Sequence, residues 1–388
     1  MFNLKKKIKK LVMFFNYYFF FYSNNPKFFN IKKKDSQIFF GYHDKINFNI
    51  SNKILFHQLE SRKSSSFKAI KVGYYDLNQK KFYIIGSSKA WSWQLGTQLQ
   101  WSGIEENVIF NSFKNNKPVS LLFSTKKNCF LKQFSFHVYN VDKEGKFGIF
   151  TNFIRLGKFR DGYGYFNKNN KEKFDGFRLI NLSNYKQIRC YRIIDICNKI
   201  DYFYNDKIYL NHFTFSPDSK KISFYLIDNS KQFRFNNLIL YDIYKNEFEI
   251  IKKLNQVSHF SWKNNNEAIL TSSKNLIDFD LIIYNFKNKK IKKFNKFTNS
   301  KDFHMMVHPL NENLIVLDGY PNLKNIQKLL VLDLKKKRIT FEKSILSHYG
   351  YDGPSRCDLH AKWSHDGKYI LVDTTENKKR EIKIIPYH

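Results

Sequence analysis

Four histidines open the same short phrase in the second half of this 388-residue chain. His212, His259, His304 and His360 are each followed three residues later by an aromatic residue or a valine, and then by a polar turn and an apolar run. A neutral imidazole binds divalent metals, and its usual pKa of about 6.5 lets it take up a proton near physiological pH. Histidines that recur at one position of a repeat therefore indicate metal binding and acid–base chemistry, if the fold brings the repeats together.

Two further side chains belong to this pattern. Gln98 occupies the histidine position in an earlier copy of the phrase and is predicted to bind substrate beside the histidines. Asp358 precedes His360 by two residues, so in a strand both side chains point to the same face. Two histidines and one carboxylate suit a single divalent ion. A second interpretation stays open, in which each histidine satisfies a buried backbone group and Asp358 caps the loop before its strand.

The spacing of the phrase predicts the fold that positions these residues. The four copies start 47, 45 and 56 residues apart. Short strands and tight turns at a period of about 40–50 residues are typical of a β-propeller, in which equivalent positions of all blades converge on one axis. We therefore predict an all-β, seven-bladed propeller of four-stranded blades over residues 37–388, as a single domain. Trp101, Trp262 and Trp363 share one repeat position and are predicted to pack between blades.

The blade phrases resemble two groups of known propellers. Ser216-Pro217-Asp218 and Trp363-SHDGKYILVD resemble the "FSPDGxxIxF" phrase of TolB-like propellers. The last four blades resemble the oligogalacturonate lyase family more specifically. Their matching segments are Leu210-NHFTFSPDSKKISF, Val257-SHFSWKNNNEAIL, Phe303-HMMVHPLNENLIVLDGYP and Arg356-CDLHAKWSHDGKYILVDTT, which are similar to the family's "GHP", "THEFW", "SHLMS" and "HPHPSFTPDD" strands in that order.

The lyase resemblance implies a role for each copy of the histidine. It implies a manganese-type divalent metal on the axis, His212 as the catalytic base, and His259 and His360 as metal ligands. This chain departs from the family pattern in blade seven, where Asp358 replaces a histidine and Ser355 replaces an expected glutamine ligand. We accordingly predict His259, Asp358 and His360 as the metal ligands. His304 is predicted to bind substrate.

Loop residues supply further candidate contacts to an acidic sugar. A guanidinium group forms paired hydrogen bonds with a carboxylate, and aromatic rings stack on sugar rings. The predicted substrate contacts are Arg234 in the blade-four loop, Trp93 in blade two, and Arg160, Tyr163 and Tyr165 in the long blade-three insertion. The alternatives that stay open are a solvated turn charge for Arg234 and a packing role for the insertion.

The net charge of +34 does not by itself identify a partner. The lysines are spread over most turns, and the excess of Lys, Asn, Ile, Phe and Tyr is typical of A/T-rich codons. A polyanionic glycan is the next interpretation. No zinc-finger, RNA-recognition or helix-turn-helix pattern occurs, so no specific nucleic-acid partner is expected.

The N-terminus combines a lysine run with an apolar stretch. Residues 1–36 are predicted to be a basic and aromatic extension, and its apolar part is too short to span a bilayer. Two interpretations stay open for residues 1–22: peripheral contact with an anionic membrane, or docking on the ring. The four cysteines contain no CxxC pair, which favours a reducing compartment. We expect a cytoplasmic protein, peripheral to the inner membrane.

The residues and the resemblance together predict a metal-dependent, carbohydrate-active propeller. In its sharpest form it is lyase-like and acts on an acidic, uronate-type oligo- or polysaccharide. The alternative is a non-catalytic propeller that binds a glycan or a partner protein within envelope polysaccharide biosynthesis.

Overall fold

The computed structural model contains seven sheets of four antiparallel strands each, arranged as the blades of one ring. It describes residues 10–15, 29–60, 68–103, 106–166, 173–231, 235–252, 254, 256–294, 297 and 301–387. The predicted all-β, seven-bladed propeller of four-stranded blades is confirmed. None of the helices in these ranges is long and apolar enough to cross a membrane.

The first three blades follow one another along the chain, each from its inner strand outwards. Blade one consists of β2 (Gln37–Phe39), β3 (Lys53–Leu59), β4 (Ile70–Asp76) and β5 (Lys81–Ser88). Blade two consists of β6 (Gln100–Ser102), β7 (Asn107–Lys114), β8 (Lys117–Ser124) and β9 (Cys129–Phe134). Blade three consists of β10 (His137–Val141), β11 (Phe147–Thr151), β12 (Phe177–Asn181) and β13 (Gln187–Tyr191).

The next three blades keep the same order. Blade four consists of β14 (Ile208–Phe215), β15 (Lys221–Asp228), β16 (Phe235–Asp242) and β17 (Glu247–Ile250). Blade five consists of β18 (Gln256–Trp262), β19 (Glu267–Ser273), β20 (Phe279–Asn285) and β21 (Ile291–Lys293). Blade six consists of β22 (Phe303–His308), β23 (Asn311–Gly319), β24 (Ile326–Asp333) and β25 (Arg338–Leu346).

Blade seven joins the two ends of the chain. It consists of β26 (Lys362–Trp363), β27 (Tyr369–Thr374), β28 (Glu381–Pro386) and, outermost, β1 (Phe29–Ile31). Pairing of β1 with β28 covers a strand edge that would otherwise expose unpaired backbone groups. Residues 29–31, predicted as part of the N-terminal extension, thus form the outermost strand of blade seven.

In the described residues, helical structure occurs in the connections and in the N-terminal segment. Short α-helices span Phe153–Phe159 and Ile193–Lys199, a 3-10 turn spans Gly353–Ser355, and residues 10–15 are helical. Antiparallel order places the connections between second and third strands at the same end of the ring as those between successive blades. We call this end the upper face. The hairpins between first and second strands and between third and fourth strands form the lower face.

Tryptophans hold neighbouring blades together, as predicted. The Trp101 indole donates a hydrogen bond to the Asn47 carbonyl of the preceding blade at 2.8 Å. The Trp363 indole donates in the same way to Met306 at 3.2 Å. Trp262 is buried in the equivalent place. The indoles of Trp101 and Trp363 reach back by one blade, whereas that of Trp262 has no hydrogen-bond partner among the described residues. The shared register of these residues is therefore a packing signal.

Polar side chains on second strands make a similar link nearer the axis. Asp318 accepts a hydrogen bond from the Ala361 backbone N–H of the next blade at 3.0 Å. Asp373 accepts from the Phe40 N–H across the closure of the ring at 3.1 Å. These links hold the inner strands in register beside the histidines.

Candidate functional site

The repeated histidines converge at the axis of the ring. The ring centroids of His259 and His304 are 4.2 Å apart, and those of His304 and His360 are 4.7 Å apart. His43 of blade one joins them, with its centroid 5.2 Å from that of His304. These imidazoles are all buried. Side chains that are scattered over more than 300 residues of sequence thus form one cluster.

The backbone is unusual at three of the five residues that share the repeated position. Gln98, His212 and His360 have φ angles of 56°, 55° and 44°. This left-handed conformation costs a non-glycine residue about 1–3 kcal/mol, and such strain is concentrated at functional sites. The bend interrupts the pairing of β14 with β15 between Asn211 and Thr214. The fold therefore maintains strain at the positions that carry candidate site residues.

Three side chains form a set that fits a metal ion. His304, Asp358 and His360 each offer one ligand atom, and these atoms all lie within 4.8 Å of one another. Nε2 of His304, Oδ1 of Asp358 and Nε2 of His360 are buried and have no hydrogen-bond partner among the described residues. Buried polar atoms are normally paired with protein, water or an ion. Two imidazoles and one carboxylate are a suitable donor set for a divalent cation.

Asp318 orients one of these ligands. Nδ1 of His304 donates to Oδ2 of Asp318 over 3.1 Å, which leaves Nε2 directed at the cluster. Burial lowers the pKa of His304, but the Asp318 carboxylate outweighs this effect and raises the pKa to about 9. Burial lowers the pKa of His360 well below its usual value. His360 is therefore neutral, as a metal ligand must be. His304 is protonated at neutral pH, so an ion that binds its Nε2 has to displace a proton.

Two arginines and a tyrosine lie beside the metal set. Nε of Arg356 donates to Oδ2 of Asp358 at 2.8 Å, and its Nη2 donates to the Tyr163 hydroxyl at 2.9 Å. The Arg160 guanidinium stacks 3.6 Å from the centre of the Tyr163 ring. Burial raises the pKa of Tyr163, but the charges of Arg160 and then Arg356 outweigh burial and lower it. The two guanidinium groups make this part of the site positively charged, which suits an anionic ligand.

His259 has a different environment from the one predicted for a metal ligand. Its Nδ1 lies 3.0 Å from Oδ1 of Asp302. Asp302 also accepts hydrogen bonds from the hydroxyls of Ser258 and Thr271 at 2.6 and 2.7 Å. The structure brings Asp358 and His360 together with His304, and His259 lies beside that set as half of a histidine–aspartate pair.

His212, the predicted base, lies on the blade-four side of the axis. Its ring centroid is 4.9 Å from that of Tyr42, and Tyr42 is also 4.9 Å from His360. Its backbone N–H donates to the Tyr139 hydroxyl at 2.9 Å. Tyr42 thus contacts both the predicted base and one member of the metal set.

A cavity of about 300 Å³ opens at the upper face beside the cluster. Its lining residues come from blades three to six and the connections between them: Arg160, Asn236, Gln256, Ser258, His259, Leu276, Phe279, Asp302 and Tyr320. The volume is at the lower end of the range for small-molecule sites. Arg160 is the predicted substrate residue that lines it.

The other predicted substrate residues are dispersed. Gln98 is buried, and its amide atoms have no hydrogen-bond partner in the described part of the chain. Trp93 is away from the cluster and lines a separate cavity of about 120 Å³ with His348 and Tyr351. Arg234 lies outside the described residues.

Tyr165 requires a correction. It is only 1% exposed, its ring stacks on Phe153 at 4.6 Å, and its hydroxyl accepts a hydrogen bond from Asn111. The insertion folds back onto the helix at Phe153, so Tyr165 packs in the core while Tyr163 reaches the axis. Tyr165 therefore contacts Phe153 and Asn111, whereas the equally buried Tyr163 lies beside Arg160 and Arg356.

Five residues near the ligand set were not predicted from the sequence: Tyr42, Asp302, Asp318, Arg356 and Tyr320. The sequence patterns that could have identified some of them span only two or three residues. Asp318-Gly319 ends β23, and Asp302 stands directly before β22. Arg356 precedes Asp358 by two residues, which is the spacing that already pairs Asp358 with His360.

Comparisons with known proteins agree with this architecture. No family model matches the sequence, and no curated protein matches it significantly. Among solved structures, an oligogalacturonate lyase in complex with manganese is similar with a TM-score of 0.65 at 12% identity, covering 93% of this chain and 96% of that chain. An oligogalacturonate lyase from Vibrio parahaemolyticus has a TM-score of 0.63 at 12% identity, with 92% of each chain covered.

The same ring also occurs in proteins of other activity. A Kuenenia stuttgartiensis hydrazine synthase chain is similar with a TM-score of 0.54 at 11% identity, covering 94% of this chain and 99% of that chain. Likeness at this level of identity describes the fold, and the chemistry has to be argued from the site. The chain therefore has the seven-bladed propeller fold of these oligogalacturonate lyases, as its blade phrases indicated.

Proposed function

We propose that this chain is a metal-dependent, lyase-like enzyme that acts on an acidic, uronate-type oligo- or polysaccharide. The observation that carries the proposal is a set of three buried ligand atoms on His304, Asp358 and His360, none of which has a hydrogen-bond partner in the part of the chain that the structure describes. Their position beside two arginines and an open cavity supports an anionic substrate. The likeness in fold to a manganese complex of an oligogalacturonate lyase agrees with a divalent metal.

The proposed ligands of the metal are His304, Asp358 and His360. When bound, a divalent ion there supplies Lewis acidity that polarises a substrate carboxylate and makes the neighbouring C–H more acidic. Asp318 keeps Nε2 of His304 directed at the ligand set through the bond to Nδ1. Arg356 holds one oxygen of Asp358 and leaves Oδ1 for the ion.

The chain's own groups account for the proton transfers of an elimination. His212 accepts the proton next to the carboxylate, and the released electron pair forms the new carbon–carbon double bond as the glycosidic C–O bond breaks. The departing oxygen takes a proton from the Tyr163 hydroxyl. That hydroxyl accepts from Arg356, so its own O–H can donate to the sugar. Arg160, which lines the cavity, offsets the negative charge that develops.

Metal analysis and an elimination assay test the proposal together. We expect the purified protein to bind one equivalent of Mn²⁺, and Asp358→Asn to bind it at least about tenfold more weakly. Cleavage of oligogalacturonate, followed by the absorbance of the new double bond, should require the metal and be lost in His212→Gln. His308→Gln is the matched control, because His308 lies on the same strand as His304 but outside the ligand set. Failure of the wild-type protein to bind Mn²⁺ would refute the proposal.

The second candidate is a non-catalytic propeller that binds an acidic glycan. The ion pair between Arg356 and Asp358 favours it, because a carboxylate already paired at 2.8 Å binds a cation less strongly. Under this function a chelator leaves glycan binding unchanged and Arg160→Ala abolishes it. The partner would belong to envelope polysaccharide production at the cytoplasmic side of the membrane.

A further inference from the structure

Two exposed apolar side chains lie in upper-face connections that also line the cavity. Ile277, in the connection between β19 and β20, is 77% exposed, and Leu323, between β23 and β24, is 65% exposed. The neighbours of these two residues line the cavity itself: Leu276 precedes Ile277, and Tyr320 lies in the same connection as Leu323. Large apolar residues at the outer ends of loops are costly in water and commonly mark a binding surface.

The helical residues 10–15 add a third apolar tip to this face. Lys10 pairs with Asp352 at 2.9 Å, and the Asn325 side chain donates to the Met13 carbonyl. Both partners lie in upper-face connections, so the segment is held on the rim of blades six and seven. Leu11 and Phe15 then point outwards, with 58% and 64% of their surface exposed.

A lysine accompanies each apolar tip. Lys324 adjoins Leu323, Lys274 lies three residues before Ile277, and Lys10, which also pairs with Asp352, adjoins Leu11. All three lysines are exposed. Apolar side chains interleaved with cations match the interface of an anionic bilayer, where the former enter the acyl boundary and the latter meet phosphate. The tips come from three separate segments, which fits a fluid lipid surface better than a folded partner.

We propose that the upper face of the propeller binds peripherally to anionic phospholipid membranes. The apolar tips formed by Leu11 and Phe15, Ile277, and Leu323 enter the bilayer, and the cavity mouth between them faces the lipid surface. This inference does not depend on the metal or on lyase activity. It extends membrane contact from the N-terminal segment to the face that carries the site.

Sedimentation with phospholipid vesicles tests the proposal on the full chain. The upper-face variant is Ile277→Ser/Leu323→Ser, and serine removes apolar surface without adding charge. The matched control is Ile50→Ser/Leu310→Ser, which alters two residues of the lower face that are 64% and 75% exposed. The vesicles are pure phosphatidylcholine, or phosphatidylcholine with one third phosphatidylglycerol.

We expect the wild-type protein to bind the anionic vesicles, and the upper-face variant to bind at least about tenfold more weakly. The control variant should bind as the wild type does, and a metal chelator should change neither result. The proposal is overturned if the wild type does not bind, if both variants lose binding equally, or if both retain it. Equal binding to the neutral vesicles would contradict the role of the lysines and overturn it as well.

Discussion

Nδ1 of His304 and Oδ2 of Asp318 are 3.1 Å apart, and both residues are buried at the axis of the ring. Asp318 also accepts the Ala361 N–H of blade seven through its other oxygen. One carboxylate thus orients a candidate metal ligand in blade six and holds the strand that follows His360. Asp318 therefore links the candidate metal ligands to the interface between blades six and seven.

Replacing Asp318 tests this connection. We expect Asp318→Asn to weaken Mn²⁺ binding by about 10–100-fold, because the amide orients His304 less well and lacks the negative charge. Isothermal titration calorimetry measures the change. Asp333→Asn, which alters a turn carboxylate on the next strand of the same blade, should leave the affinity unchanged. Equal affinity in both variants would contradict an orienting role for Asp318.

Replacing Tyr163 and Tyr165 in turn tests which of the two hydroxyls donates a proton and which only packs. Tyr163→Phe removes the hydroxyl that Arg356 contacts, and we expect it to lower kcat of the elimination by about 10²–10⁴-fold with a smaller change in KM. Tyr165→Phe removes a buried hydroxyl that accepts a hydrogen bond from Asn111, so its expected cost is about 1 kcal/mol of stability with kcat retained. Steady-state kinetics and thermal unfolding distinguish these results. A normal kcat in Tyr163→Phe excludes it as the donor.

The left-handed backbone at His212 predicts an unusual order of stabilities. Both His212→Ala and His212→Gly remove the imidazole, and we expect both to lose elimination activity. Glycine adopts a φ of 55° without strain, so His212→Gly should be more stable than His212→Ala by about 1 kcal/mol. Denaturant unfolding measures the difference. An alanine variant that is the more stable of the two would show that the strain is absent.

Two buried histidines away from the metal set predict acid sensitivity. Burial lowers the pKa of His57 and of His137 to about 3. The unfolded chain has histidine pKa values of about 6.5, so between these limits it binds more protons than the folded chain. The free energy of unfolding should therefore fall as the pH drops below about 6.5, by about 2 kcal/mol per histidine at pH 5.

Denaturant unfolding at several pH values checks this dependence. His137→Gln retains a donor to the Ser112 carbonyl, which His137 contacts at 3.0 Å, and removes one titrating group. Its stability should depend less steeply on pH than that of the wild type. The same slope in both proteins would show that His137 titrates normally in the folded state.

The fold and the gathering of the histidines were predictable from sequence because both follow from a local period. Each blade repeats one order of inner strand, turn and apolar strand, and a closed ring places equal positions on one axis. The packing of the Trp101 and Trp363 indoles between blades was predictable for the same reason, since their position in the repeat determines which neighbouring blade they reach.

The sequence by itself therefore determined the ring, the number of blades and the histidines that meet at its axis. Only the tertiary structure decided which of these histidines share a ligand set. Asp302 lies two residues before His304 in sequence, yet it bonds to His259 of the preceding blade, while Asp318 orients His304. The physical reason is that each ring nitrogen is directed by a carboxylate from another strand or connection, and such partners carry no fixed spacing along the chain.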